Sequence, residues 1–127
     1  MSKKVISTNE APAAIGPYVQ ATLVNGFLFT SGQIALDPTS NTIVDGDIRV
    51  QTRQVCTNLT NVLKAAGMDA SNVVKTTCFI KDMNDFVAFN EVYAEFFGEN
   101  APARSCVEVA RLPKDVLCEV EVIACLY

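Results

Sequence analysis

Apolar and polar positions along this 127-residue chain change period several times, and each change marks an element. A short β-prone run at residues 4–7 is followed by a stretch, 11–17, with two prolines and a glycine, which reads as an ordered loop. Residues 19–24 and 27–36 are apolar, β-prone runs separated by Asn25-Gly26, the strongest short hairpin signal. Asp37-Pro38 opens a polar turn region that reaches Asp47. The period then lengthens. Ile48, Thr52, Val55, Leu59, Val62 and Ala66 recur at steps of three and four, which predicts an amphipathic helix over 48–66 closed by Gly67 at C′. Residues 73–81 read as a strand. Asn84 or Asp85 can cap a second helix with Phe86, Phe89, Val92, Tyr93, Phe96 and Phe97 on its apolar face, and Gly98 ends it. Two alternating runs, 102–109 and 118–122, are the last strands.

The predicted order is β, hairpin, α, β, α, β, β. Strands and helices alternate only partly, so the expected fold is a single α+β domain with a mixed sheet and both helices packed on one face. The length suits one domain with its own core. The longest apolar runs, such as 122–127, are too short to span a bilayer, and no apolar signal segment follows Lys3 and Lys4. A cytoplasmic protein with no membrane partner is expected.

Charge narrows the chemistry. Ten basic residues against 14 acidic ones give a net charge of −4, and no Lys/Arg cluster offers the footprint of a nucleic-acid binder. The five cysteines include no C-x-x-C pair and read as reduced thiols, not a disulfide frame or zinc site. Histidine is absent, which removes the commonest acid–base group and metal ligand. Catalysis then rests on carboxylates, Arg, Cys, Tyr, backbone and water, with no metal or organic cofactor expected.

Candidate residues gather near the end of the chain. Arg104 opens the run 102–109, and a planar, permanently charged guanidinium suits bidentate capture of a small carboxylate. Glu119 and Glu121 share one face of the final strand, and a glutamate on a neighbouring strand can position or deprotonate a water. The residues alone leave a bland reading open beside each of these. Arg104 can be a surface arginine paired with Glu121, and the two glutamates can be a solvated pair. Like charges close together would instead raise one pKa, as proton transfer requires. Cys106 lies on the same strand face as Arg104, yet nothing but Arg104 is present to activate its thiol. Tyr18 is either a core aromatic or a lid over a pocket. Glycine within the run 27–36 marks close approach, so Ser31 and Gly32 suit a pocket wall or a tight subunit contact. Asn90 accompanies the aromatics of the second helix at core and rim.

These residues sit in blocks that carry a resemblance. Ala14-Ile15-Gly16-Pro17-Tyr18-Val19-Gln20, Thr30-Ser31-Gly32-Gln33-Ile34, Asn72-Val73-Val74-Lys75-Thr76-Thr77 and Phe79 through Phe86 lead to Pro102-Ala103-Arg104-Ser105-Cys106-Val107-Glu108-Val109 and Cys118-Glu119-Val120-Glu121-Val122. In this order they resemble the YjgF-type reactive intermediate deaminase family, close to the RidA subgroup. The link Gly98-Glu99-Asn100-Ala101 is shorter than in many relatives. The resemblance implies a chorismate-mutase-like α+β fold assembled as a homotrimer with clefts between subunits. It further implies hydrolytic deamination of enamines and imines such as 2-aminoacrylate and 2-aminocrotonate to 2-keto acids and ammonia. By resemblance, Arg104 grips the substrate carboxylate and Glu119 orients the hydrolytic water. The backbone of Cys106 lines the pocket, Tyr18 covers it, and Ser31, Gly32 and Asn90 complete the substrate contacts. Two other classes remain: a trimeric sensor that captures small carboxylates without turnover, and an RNA-directed endonuclease or translation inhibitor. The pI of about 4.7 and the missing histidine disfavour the second.

Overall fold

Burial with period two along the last strand, β6 (Cys118–Cys125), shows how the core is built. Cys118, Val120, Val122 and Ala124 are buried, while Glu119, Glu121, Ile123 and Cys125 take the opposite face. The computed structural model describes residues 2–127. Before β6 come β1 (Lys4–Ile6), β2 (Ala21–Val24), β3 (Phe27–Thr30), α1 (Ile48–Ala65), β4 (Val73–Ile80), α2 (Phe86–Phe97) and β5 (Ala103–Glu108). They form one six-stranded sheet in the order β1-β2-β3-β6-β4-β5. All neighbours are antiparallel except β4 and β5, whose parallel pairing is made possible by the crossover through α2.

Both helices lie on one face, as the pattern predicts. Val55, Leu59 and Val62 of α1 and Phe89, Tyr93 and Phe97 of α2 share a core with Leu28, Cys78, Ile80 and Val120 of the sheet. The Asp47 carboxylate caps α1 by accepting the N–H groups of Arg49 at 3.0 Å and Val50 at 3.1 Å. At the other end the N–H groups of Gly67 and Met68 bond back to the carbonyls of Lys64 and Leu63. Arg49–Glu91 and Arg53–Glu95 ion pairs join the helices along their exposed sides. Such half-exposed pairs contribute less than about 1 kcal/mol each.

Three expectations need correction. The start of α2 is not capped by Asn84 or by the Asp85 side chain. A 3₁₀ turn, Met83–Asp85, runs straight into the helix, and Asp82 caps that turn by accepting the Asn84 N–H at 2.9 Å. Gly98 ends α2 in a helical conformation, and Asn100, at φ 57°, makes the left-handed turn instead. The hairpin signal at Asn25-Gly26 holds, with φ of 53° and 82°, but β3 stops at Thr30 rather than continuing to residue 36. Beyond it only Gln33 keeps a bridge to the sheet, through Val120. The carbonyls of Ile34 and Leu36 are taken by the buried Asn58 amide of α1, at 3.1 and 2.9 Å, so they cannot serve a sheet ladder.

Among the described residues no helix covers the other face of the sheet. Val5, Phe27, Phe29 and Val107 are exposed there, with Phe79 and Ile123 half-buried among them. Among the described residues no helix is long and apolar enough to cross a membrane.

The cap at α1 gives a stability prediction. Asp47→Ala is expected to cost about 1 kcal/mol, read as a lower urea midpoint with an unchanged m value. An unchanged midpoint would show that the cap does not hold the helix start.

Candidate active site

Arg104 projects from β5 toward α2, not toward open solvent. Its register partner in β4 is Thr76, whose hydroxyl is 2.7 Å from the Tyr93 hydroxyl of α2. Helical spacing places Phe86, Asn90 and Tyr93 along one side of α2, and all three meet the guanidinium. Cζ lies 5.4 Å from the Phe86 ring centroid and 4.8 Å from that of Tyr93, and Nη1 donates to Asn90 Oδ1 at 2.7 Å. Ring faces and a neutral amide orient the cation without neutralising it. The ion pairs among the described residues are Arg49–Glu91, Arg53–Glu95 and Arg111–Asp115, so Arg104 is not paired with Glu121. Cys106 follows on the same face, beside Cys78. Burial pushes its thiol pKa up, against a weaker lowering pull from Arg104, so the thiol is not primed as a nucleophile. β5 is the sheet edge, which leaves part of its backbone available to another group.

Glu119 belongs to a different place. It borders a cavity of about 470 Å3 with Tyr18, Ser31 and Gly32, walled by Pro12, Ile15, Leu36 and Pro113. Burial raises the Glu119 pKa, and the neighbouring Glu121 raises it further. Gly32 passes so near that a Cβ built on it would sit 2.0 Å from Glu119 Oε2, so any larger residue there would push the Glu119 carboxylate out of its place. Ser31 and Gly32 therefore lie just past the end of β3, not within it. The Ser31 hydroxyl donates to the Val19 carbonyl at 2.6 Å and ties this corner to the approach of β2. Tyr18 is half exposed at the cavity mouth, in the position of a cover and not of a core aromatic.

The two halves do not meet within one chain. The sequence reading placed Arg104 and Glu119 on neighbouring strands, but β4 runs between β5 and β6. Register decides the faces as well. Arg104 pairs with Thr76, and Thr76 with Val122, on the helix side; Glu119 pairs with Phe79 on the open side. Tyr18, Ser31, Gly32 and Glu119 are thus gathered on one side of the sheet, and Arg104, Asn90 and Cys106 on the other.

Two supporting residues escaped the sequence reading. The buried Gln20 amide accepts the Thr8 N–H at 2.7 Å and donates to the carbonyls of Thr8, Ala11 and Pro12, clamping the loop that walls the cavity. Asn58 pins the opposite wall through Ile34 and Leu36. Neither residue type announces such a role in a single sequence. Lys114, at the cavity rim, is the third omission. A Pro-x-Asp turn signal at 113–115 was its available mark.

The chain is a layered α+β domain with a permanent cation on one sheet face and a half-buried carboxylate on the other. A family model described as endoribonuclease L-PSP matches residues 8–126, and the chain belongs to that family, also known as YjgF/RutC/Rid. A RutC family protein of Synechocystis is 60% identical over 128 residues, spanning 99% of this chain and 98% of that protein. The 2-iminobutanoate/2-iminopropanoate deaminase of Rattus norvegicus is 50% identical over 122 residues, spanning 96% and 89%. The crystal structure of E. coli TdcF with bound serine superposes with a TM-score of 0.92 at 47% identity, covering 98% of this chain and 99% of that one.

The raised Glu119 pKa has a stability consequence whose sign follows from linkage. A carboxylate whose folded pKa lies above its unfolded value penalises the fold when ionised. That penalty is absent below the unfolded pKa and complete above the folded one. Glu119→Gln should therefore be slightly more stable than the parent near pH 7, by less than about 1 kcal/mol for a half-exposed group. The difference should vanish in acid below the ordinary carboxylate range. Urea unfolding across pH checks this, and a variant less stable at neutral pH would contradict it.

Proposed function

We propose that the protein hydrolyses small enamines and imines of 2-keto acids, releasing ammonia, in a site shared between two copies of the chain within a homotrimer. The observation that carries the reading is the division of labour across the sheet. An uncompensated guanidinium waits on one face and a half-buried carboxylate waits in a cavity on the other. A second copy that presents its Glu119 cavity to the Arg104 edge completes both halves. The exposed apolar residues of the open sheet face supply a surface that such assembly would bury. Support also comes from the deaminase name of the rat relative and the serine held by TdcF, an amino acid whose carboxylate Arg104 would match here.

The chemistry asks little of the protein. Arg104 makes two parallel charge-assisted bonds to the substrate carboxylate and draws electron density toward it. An enamine tautomerises to the imine. Water then attacks C2 of the protonated imine, its proton passing to Glu119, to give a neutral carbinolamine. Glu119 returns that proton to the nitrogen, the C–N bond breaks as the oxygen lone pair forms the keto C=O, and the hydroxyl proton is taken up by the departing ammonia. A carboxylate with a raised pKa is a stronger base than an ordinary one, and once protonated it keeps its proton until the nitrogen takes it. Cys106 contributes backbone contacts, Asn90 orients Arg104, and Tyr18, Ser31 and Gly32 enclose the reacting carbon. An RNA-cleaving reading is disfavoured by a net charge of −4 and by the absence of histidine for acid–base work on phosphates. A sensor without turnover predicts binding with no acceleration.

Keto-acid appearance from freshly generated 2-iminobutanoate, proportional to protein concentration, tests the activity. Arg104→Ala should lower kcat/KM about thirtyfold to several-thousandfold, the scale of truncating one partner of a desolvated ion pair, while circular dichroism stays unchanged. Arg104→Lys should restore part of it, since a point charge lacks the fork. A folded Arg104→Ala within about threefold of the parent would remove the anchor, and no acceleration by the parent would leave only the sensor.

A further inference from the structure

The segment between β5 and β6 is built to present one particular side chain. Lys114 has φ 55° and ψ 21°, and Asp115 follows at φ 54°. Left-handed backbone is unusual for either residue, and two in succession cost conformational energy that the surroundings must offset. Here they do. Leu112 and Val116 are buried on either side and fasten both ends of the turn. The Asp115 carboxylate accepts two bonds from Arg111, from Nε at 2.8 Å and Nη2 at 3.2 Å. The N–H of Asp115 bonds to the Leu112 carbonyl at 3.0 Å, and the Leu117 N–H to Gln51 Oε1 at 2.9 Å. What remains exposed is a short, braced tip that sets Pro113 and Lys114 on the rim of the Glu119 cavity.

The cavity itself is larger than a four-carbon substrate needs. At about 470 Å3 it falls in the range of cavities that enclose drug-sized ligands, roughly 300–1,000 Å3. Its walls beyond Glu119 are mainly apolar, and among the described residues Lys114 is the one basic residue lining it. A substrate held by its carboxylate at Arg104, with C2 at Glu119, would extend its side chain along those walls toward the rim. A second negative charge at the end of that side chain would meet Lys114, which would offset its repulsion by Glu119.

We infer that Lys114 is a specificity residue, and that the site takes 2-imino acids whose side chain ends in a second carboxylate as well as short uncharged ones. The inference rests on the deaminase reading above and names the substrate class it adds. An uncharged chain of equal length gains nothing from Lys114, so the residue acts on the choice between substrates.

The test compares imines of equal length, generated in place by amino-acid oxidases from glutamate and from norvaline. Hydrolysis is measured as protection from semicarbazide trapping. The parent should accelerate both. The ratio of kcat/KM for the glutamate imine over the norvaline imine should fall about tenfold in Lys114→Ala, the scale of one charge-assisted hydrogen bond. It should fall further in Lys114→Glu and be largely retained in Lys114→Arg. Damage to folding alone would lower both rates and leave the ratio unmoved. A ratio unchanged in both Lys114→Ala and Lys114→Glu overturns the assignment, as does a parent that hydrolyses only the norvaline imine. A parent that accelerates neither five-carbon imine overturns it as well, and 2-iminobutanoate assayed beside them shows whether deamination itself stands.

Discussion

A strand can show each side chain to only one side of its sheet, and in this protein that restriction separates the two charged groups that matter. Arg104 is locked to the helix face by its register with Thr76, and Glu119 to the open face by its register with Phe79. Shifting β6 by one residue would exchange its buried and exposed sets and expel Cys118, Val120 and Val122 from the core, and shifting β5 would turn Arg104 and Cys106 away from the helices. The separation is therefore as firmly specified as the core itself. Side-chain motion cannot bridge it, because β4 lies between the two strands. Any reaction that needs both groups at one carbon must draw on a second copy of the chain.

The two faces hold their charged groups differently. The helix face holds its cation between aromatic faces and one amide oxygen, which fixes direction while leaving the charge available. The open face holds its carboxylate against the Gly32 backbone, where burial works against ionisation. Gln20 and Asn58, both buried and fully engaged, make the cavity walls part of the domain framework. Closing the two halves on each other would exclude water from both. That would strengthen the hold of Arg104 on an anion and favour proton transfer at Glu119.

Local signals carried much of this into the sequence. The 3.6 period and Gly67 located α1, Asn25-Gly26 located the hairpin, and alternation located β5 nearly to the residue and the start of β6, which runs on three residues past Val122 to Cys125. Strand order was not legible. Nothing in residues 102–122 says that β6 inserts between β3 and β4, since pairing is a tertiary choice. The early end of β3 was hidden because its competitor, the Asn58 amide, lies 22 residues beyond Leu36. Arg104, Glu119 and Gly32 were legible as candidates, but their division between the faces required the register. Lys114 was missed because a lysine in left-handed backbone reads from sequence like any surface lysine.

The claim that one site needs two chains is tested most directly by mixing two defective variants. Arg104→Ala keeps its Glu119 cavity, and Glu119→Gln keeps its Arg104 edge. Each should be nearly inactive toward 2-iminobutanoate when assembled alone. Co-expressed or refolded together, they should regain activity, with roughly a quarter of sites intact after random mixing in a closed ring. Mixed assemblies no more active than the separate variants would contradict a shared site. So would a stable monomer of the parent with full activity.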